Sequence, residues 1–79
     1  GMSGLPLLSS NDIIRKLRKA GFINAPHQGK GSHIALSRLG DDGKRHLVII
    51  PKRDPVPKGT LISILKQAHL TKEEFLELG

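Results

Sequence analysis

The chain has no cysteine, tryptophan or tyrosine, only two phenylalanines, and seven acidic residues in 79. Each shortage removes a class of function. Without cysteine there is no disulfide, thiolate nucleophile or thiolate metal site, so packing alone must hold the core, which suits a reducing cytoplasm. With Phe22 and Phe75 as the only aromatics, the chain cannot offer the exposed stacking platform of many single-strand binders. That leaves recognition by backbone and shape. No apolar run approaches the roughly 20 residues that span a bilayer, and the start lacks a basic region followed by an apolar stretch. The expectation is a soluble, unexported protein in the cytoplasm with no membrane role. Carboxylates are also poorly placed for sugar hydrolysis, since Asp41 and Asp42 share a turn and the three glutamates cluster at the end.

What is present is basic. Thirteen Lys and Arg against seven Asp and Glu give a formal charge of +6 and a pI near 10.2. Residues 13–53 carry ten of the basic residues and only Asp41 and Asp42 in opposition, while the end from Thr71 reverses sign through Glu73, Glu74 and Glu77. A polyanion is the expected partner, nucleic acid first among them; the alternative is a solvated basic face that only confers solubility. A length of 79 residues allows one small domain. We divide it into a flexible leader over residues 1–8, whose Gly1 ahead of Met2 reads as a cloning remnant, and a single domain over residues 9–79.

Periodicity orders the domain. Ser9 and Asp12 precede Ile13, Ile14, Leu17 and Ala20 at helical spacing, predicting a first helix over about 10–20 that Gly21 ends in a left-handed turn. Residues 22–28 form a candidate edge strand interrupted by Pro26. Residues 32–39 alternate, with Ile34 and Leu36 one way and His33, Ala35 and Ser37 the other. Gly40-Asp41-Asp42-Gly43 makes a hairpin turn into a partner strand over 44–50, which Pro51 stops. Leu61, Ile64, Leu65 and Ala68 predict a helix over about 58–68, and Thr71 with Glu74 a capping box opening a short third helix. The expected fold is α+β in the order α-β-β-β-α-α: a three-stranded antiparallel sheet covered by helices on one face and open on the other. Strand parity then sends His33 to the open face or its rim.

The segment Gly29-Lys30-Gly31-Ser32-His33 gathers glycines that let backbone N–H groups approach an anion, one cation, one hydroxyl and one imidazole. It is either a phosphate site or a glycine-rich turn that joins two strands; it is not a Walker loop, which would stand between a strand and a helix. Imidazole exchanges a proton near neutral pH, as RNA cleavage by its own 2′-hydroxyl requires at each end of the step. Lys30, Lys52, Arg53 or Lys58 can stabilise charge that builds on phosphorus. His27 on the edge strand, His46 at a strand start and His69 at a helix end are less promising. No metal is expected, because no two histidines stand four apart and no carboxylate lies near His33; no cofactor is implied.

Ala20-Gly21-Phe22, Gly31-Ser32-His33, Val48 to Pro51, Gly59-Thr60-Leu61 with Ile64-Leu65-Lys66-Gln67-Ala68, and Glu73-Glu74-Phe75-Leu76 together resemble the HicA (YcfA-like) toxins in order and spacing, over about residues 10–78. The resemblance implies a double-stranded-RNA-binding-domain-like fold and a metal-independent endoribonuclease that cleaves mRNA. It places catalysis on His33, with Lys30, Gly31, Ser32, Lys52, Arg53 and Lys58 as RNA contacts, and implies restraint by a HicB-like antitoxin. Three positions depart from the family pattern: Ile34 where many relatives have a second histidine, Lys52-Arg53 where a histidine is often found, and His69 where glycine commonly ends the second helix. Two other readings stay open, a noncatalytic RNA-binding module on the same fold and a partner-binding protein whose basic surface receives an acidic protein.

Overall fold

The computed structural model describes residues 4–26 and 28–79. Its elements are α1 (Ser10–Lys19), β1 (Ile23–Asn24), β2 (His33–Leu39), β3 (Arg45–Pro51), α2 (Lys58–Ala68) and α3 (Lys72–Glu77). The expected α-β-β-β-α-α order is therefore the observed one. The strands form one antiparallel sheet in the order β1-β2-β3, with Leu36 opposite Val48 and Ser37 opposite both Ile23 and Leu47.

Helix α1 starts where the sequence supplies a cap: Ser9 Oγ accepts from the Asp12 N–H at 3.1 Å, satisfying a donor that the first helical turn leaves free. Its apolar stripe, Ile13, Ile14 and Leu17, is buried, and Gly21 follows with a φ of 97°. The Phe22 N–H then donates to the Leu17 carbonyl at 3.1 Å, which turns the Phe22 ring into the core. Leu36 of β2, Val48 and Ile50 of β3, Leu61, Ile64, Leu65 and Ala68 of α2, and Phe75 of α3 complete that core. Each fully buried aliphatic or aromatic side chain contributes about 1.5–3 kcal/mol by leaving water. Leu5 of the leader is buried with them, and the Val56 N–H donates to the Leu8 carbonyl at 2.7 Å.

Two basic residues that the charge count assigns to the surface are spent inside the fold. Arg38 donates from Nη1 to the Ala20 carbonyl at 2.8 Å and from Nη2 to the Ala68 carbonyl at 3.4 Å, while its guanidinium lies 4.7 Å from the Phe22 ring centre. It thus ties the ends of α1 and α2, where helix carbonyls lack partners and favour a cation. Lys16 donates to the Leu78 carbonyl at 2.6 Å and fastens α1 to the end of α3.

The edge strand is shorter than its sequence suggests. After Asn24 the ladder continues with a bond from the Ala25 N–H to the Ala35 carbonyl at 2.9 Å. The Gln28 N–H then bonds back to the Ala25 carbonyl at 2.9 Å, a turn around Pro26, which has no N–H to offer a ladder. This turn also changes the open face. Ala35 and Ser37 have the expected parity, yet they are buried. Gly29 comes so close that a Cβ there would stand 3.3 Å from the Ala35 nitrogen, and Arg45 Nη1 donates to Ser37 Oγ at 3.2 Å. The side of the sheet away from the helices is consequently part-covered at its centre.

Candidate active site

The connection from β1 to β2 ends in a turn that aims one histidine outward. Gly31 takes a φ of 51°, a left-handed conformation that a side chain would strain, and the His33 N–H donates to the Lys30 carbonyl at 2.8 Å. Across the ladder His33 faces Pro51. Beyond that pair, the Lys52 N–H donates to the Ser32 carbonyl at 2.8 Å, and the Arg53 carbonyl accepts from the Ser10 N–H at 2.8 Å. The segment leaving β3 is thereby tied both to the Gly31–Ser32 turn and to the start of α1. Backbone bonds from three elements position His33 and Lys52.

His33 is exposed, and Ser32 Oγ lies 3.2 Å from its Nδ1. This contact accommodates both halves of acid–base chemistry. With Nδ1–H donating to the hydroxyl, Nε2 of the neutral ring keeps a lone pair and accepts a proton; the protonated ring keeps the same Nδ1–H bond and gives its proton up from Nε2.

His33 borders a cleft of about 480 Å³ between α1, the β1–β2 connection and the first residues of β2. Of the residues singled out from the sequence, His33, Lys30, Gly31 and Lys52 line it. Ser32 joins them through the imidazole. Arg53 and Lys58 do not line the cleft; Lys58 is exposed at the first position of α2. His27 lies outside the described residues. Three polar lining residues escaped the sequence reading: Asn11 and Arg18 on α1, and Asn24 on β1. Arg18 Nη2 donates to Asn24 Oδ1 at 2.7 Å. Only the basic face of α1 hinted at Arg18; nothing local marks the asparagines. Arg18, Lys30 and Lys52 border the cleft and no carboxylate does among the described residues, so it attracts phosphate.

The other two described histidines are engaged elsewhere. His46 Nε2 lies 3.2 Å from Asp42 Oδ1, and its ring centre is 3.8 Å from that of His69. His69 ends α2 in a left-handed conformation with φ 57°. Asp42 is held below the usual carboxylate range, mainly by the Lys44 backbone N–H and secondarily by His46. Among the described residues, no three His, Cys, Asp or Glu side chains converge as metal ligands.

Comparison with known proteins adds one finding. Residues 10–70 match the family model described as HicA toxin of bacterial toxin-antitoxin. No curated protein matches the chain.

Proposed function

The chain belongs to the HicA toxin family, the toxin half of a toxin-antitoxin system, and on that premise we propose that it is an endoribonuclease that cleaves mRNA without a metal, with His33 as the proton-transfer group. The observation that carries this reading is an exposed imidazole on a cation-lined cleft. In the reaction the ribose 2′-oxygen attacks phosphorus while its proton passes to a base, and the bond from phosphorus to the 5′-oxygen breaks as that oxygen gains a proton. The products are a 2′,3′-cyclic phosphate and a 5′-hydroxyl. His33 fills one of the two proton-transfer roles. Lys30 and Lys52 lie where they would neutralise the charge that grows on the non-bridging oxygens. Family membership implies a protein partner, which we read as a HicB-like antitoxin. A row of apolar side chains supports such a partner: Ile23 and Leu47 flank Ser37 on the side of the sheet away from the helices, and both are exposed.

Single-stranded RNA incubated with the protein in EDTA, beside a His33→Ala variant of matched thermal stability, tests the proposal. Cleavage by the parent alone is expected. Equal cutting by both proteins, or none by either, removes the mechanism. Salt-sensitive binding without products would instead favour the noncatalytic RNA-binding module.

A further inference from the structure

The cleft is larger than proton transfer requires, and its lining holds more than the groups that meet a phosphate. Lys30, Gly31, His33 and Lys52 suffice to meet one phosphodiester. About 480 Å³ falls within the roughly 300–1,000 Å³ of pockets that enclose small organic ligands. Besides Lys30, Gly31, His33 and Lys52, the cleft is lined by apolar groups of Ile14, Ala25, Pro26 and Ile34, together with Asn11, Asn24 and Arg18. Apolar walls with a few polar groups suit a flat heterocycle, whereas a second phosphate would call for more cations.

We propose that this part of the cleft takes one unpaired nucleobase of the RNA, adjoining the phosphate at His33, and that Asn24, Asn11 and Arg18 set which base is preferred. The inference rests on the ribonuclease reading for its substrate class and adds the origin of its selectivity. Asn24 is the centre of the device. Its Oδ1 accepts from Arg18 Nη2 at 2.7 Å, so the pair offers a base N–H groups, from the Asn24 amide and the remaining guanidinium nitrogens. A base therefore binds by an edge that presents acceptors. Arg18 and Asn24 come from α1, whose apolar stripe is buried in the core, and from β1, which is paired to β2, so the donors are held in place before RNA arrives. A base can reach them only when unstacked and unpaired, which makes the cleft selective for single-stranded RNA.

Two measurements test this. The first maps cleavage sites of a mixed-sequence RNA for the parent, Asn24→Ala and Asn11→Ala. The ratio of strong-site to weak-site cutting should fall at least tenfold at one fixed position relative to the cut, since a well-made base contact discriminates on the order of tenfold to a hundredfold. A ratio unchanged in both variants overturns the proposal, while uniform slowing at all sites means that these residues bind backbone. The second measurement needs no cleavage. In an NMR titration with uncleavable 2′-O-methyl RNA, the Asn24 and Asn11 side-chain amide signals should shift with a single strand and stay fixed with the matching duplex. Equal shifts with both, or none with the single strand, contradict base insertion. Loss of His33-dependent cutting with these amide shifts intact would sink the nuclease reading and leave the base site standing.

Discussion

The two ends of the β2–β3 ladder each carry a histidine, and they are held in opposite ways. At one end His33 is exposed on a cleft, with the Ser32 hydroxyl 3.2 Å from Nδ1 and cations bordering the same space. At the other end the His46 side chain is 11% exposed, with Asp42 on its Nε2 and the His69 ring against its face. Histidine is thus spent on structure at the turn end and left accessible at the cleft end. A ring that is nearly buried, with a carboxylate on one nitrogen and a second ring beside it, has little left to give a substrate. A ring steadied only through Nδ1 still presents Nε2.

The strongest way to break this contrast is to remove each ring in turn. His33→Ala should lower cleavage by about 10²–10⁴-fold, the usual contribution of a positioned acid or base, while His46→Ala should leave the rate within about threefold; RNA cleavage rates measure both. Next in size is Arg38→Ala, which should cost about 1–3 kcal/mol in denaturant unfolding, because two carbonyls lose a charged donor. Once refolded below its midpoint, that variant should keep the parent's salt dependence of RNA binding, since Arg38 faces helix ends and not the cleft. Lys30→Ala and Lys52→Ala, by contrast, should each reduce the slope of log K against log salt by about 0.7. Arg53→Ala and Lys58→Ala should change it less, because neither residue borders the cleft.

The smallest effect concerns pH. Asp12 is held below its ordinary value of 3.8 chiefly by Arg15, Asp42 below 3.8 chiefly by the Lys44 N–H, and Glu74 below 4.5 by the Thr71 N–H. Folded values below unfolded ones mean that their stabilisation is present above those ordinary values and is lost as pH falls through the lower, folded ones. Asp42 and Glu74 are exposed and Asp12 is part-exposed, so solvent screens these contacts and the effect should be modest. The midpoint of thermal unfolding should decline below about pH 4.5, and Asp42→Asn should flatten only its own share of the decline.

The helices and their caps were legible in the sequence because their signals are local. Ser9 with Asp12, Gly21 with Phe22, and Thr71 with Glu74 each lie within one turn of the groups they satisfy, and Glu74 closes the expected capping box. Strand parity was legible for the same reason, since alternation alone separates Ile34 and Leu36 from His33, Ala35 and Ser37. What alternation does not contain is where a connecting loop comes to rest. Ala35 and Ser37 have the parity of an open face, but the turn through Gly29 and the Arg45 side chain cover them. Likewise Arg18 and Asn24 stand six residues apart across the Gly21 turn, and only the tertiary path brings them to 2.7 Å. His33, Lys30 and Lys52 were readable as a chemical cluster; the pocket behind them was not, because its residues are ordinary until the fold assembles them.

The central claim is that His33 transfers a proton when a ribose 2′-hydroxyl cleaves the adjoining phosphodiester. The most direct measurement uses an otherwise deoxy strand with one ribonucleotide, incubated in EDTA with the parent and with His33→Ala. Cutting only on the 3′ side of that ribonucleotide, leaving a 2′,3′-cyclic phosphate, and only by the parent, is the predicted result. Cutting at deoxy positions, or equal cutting by the two proteins, would contradict it.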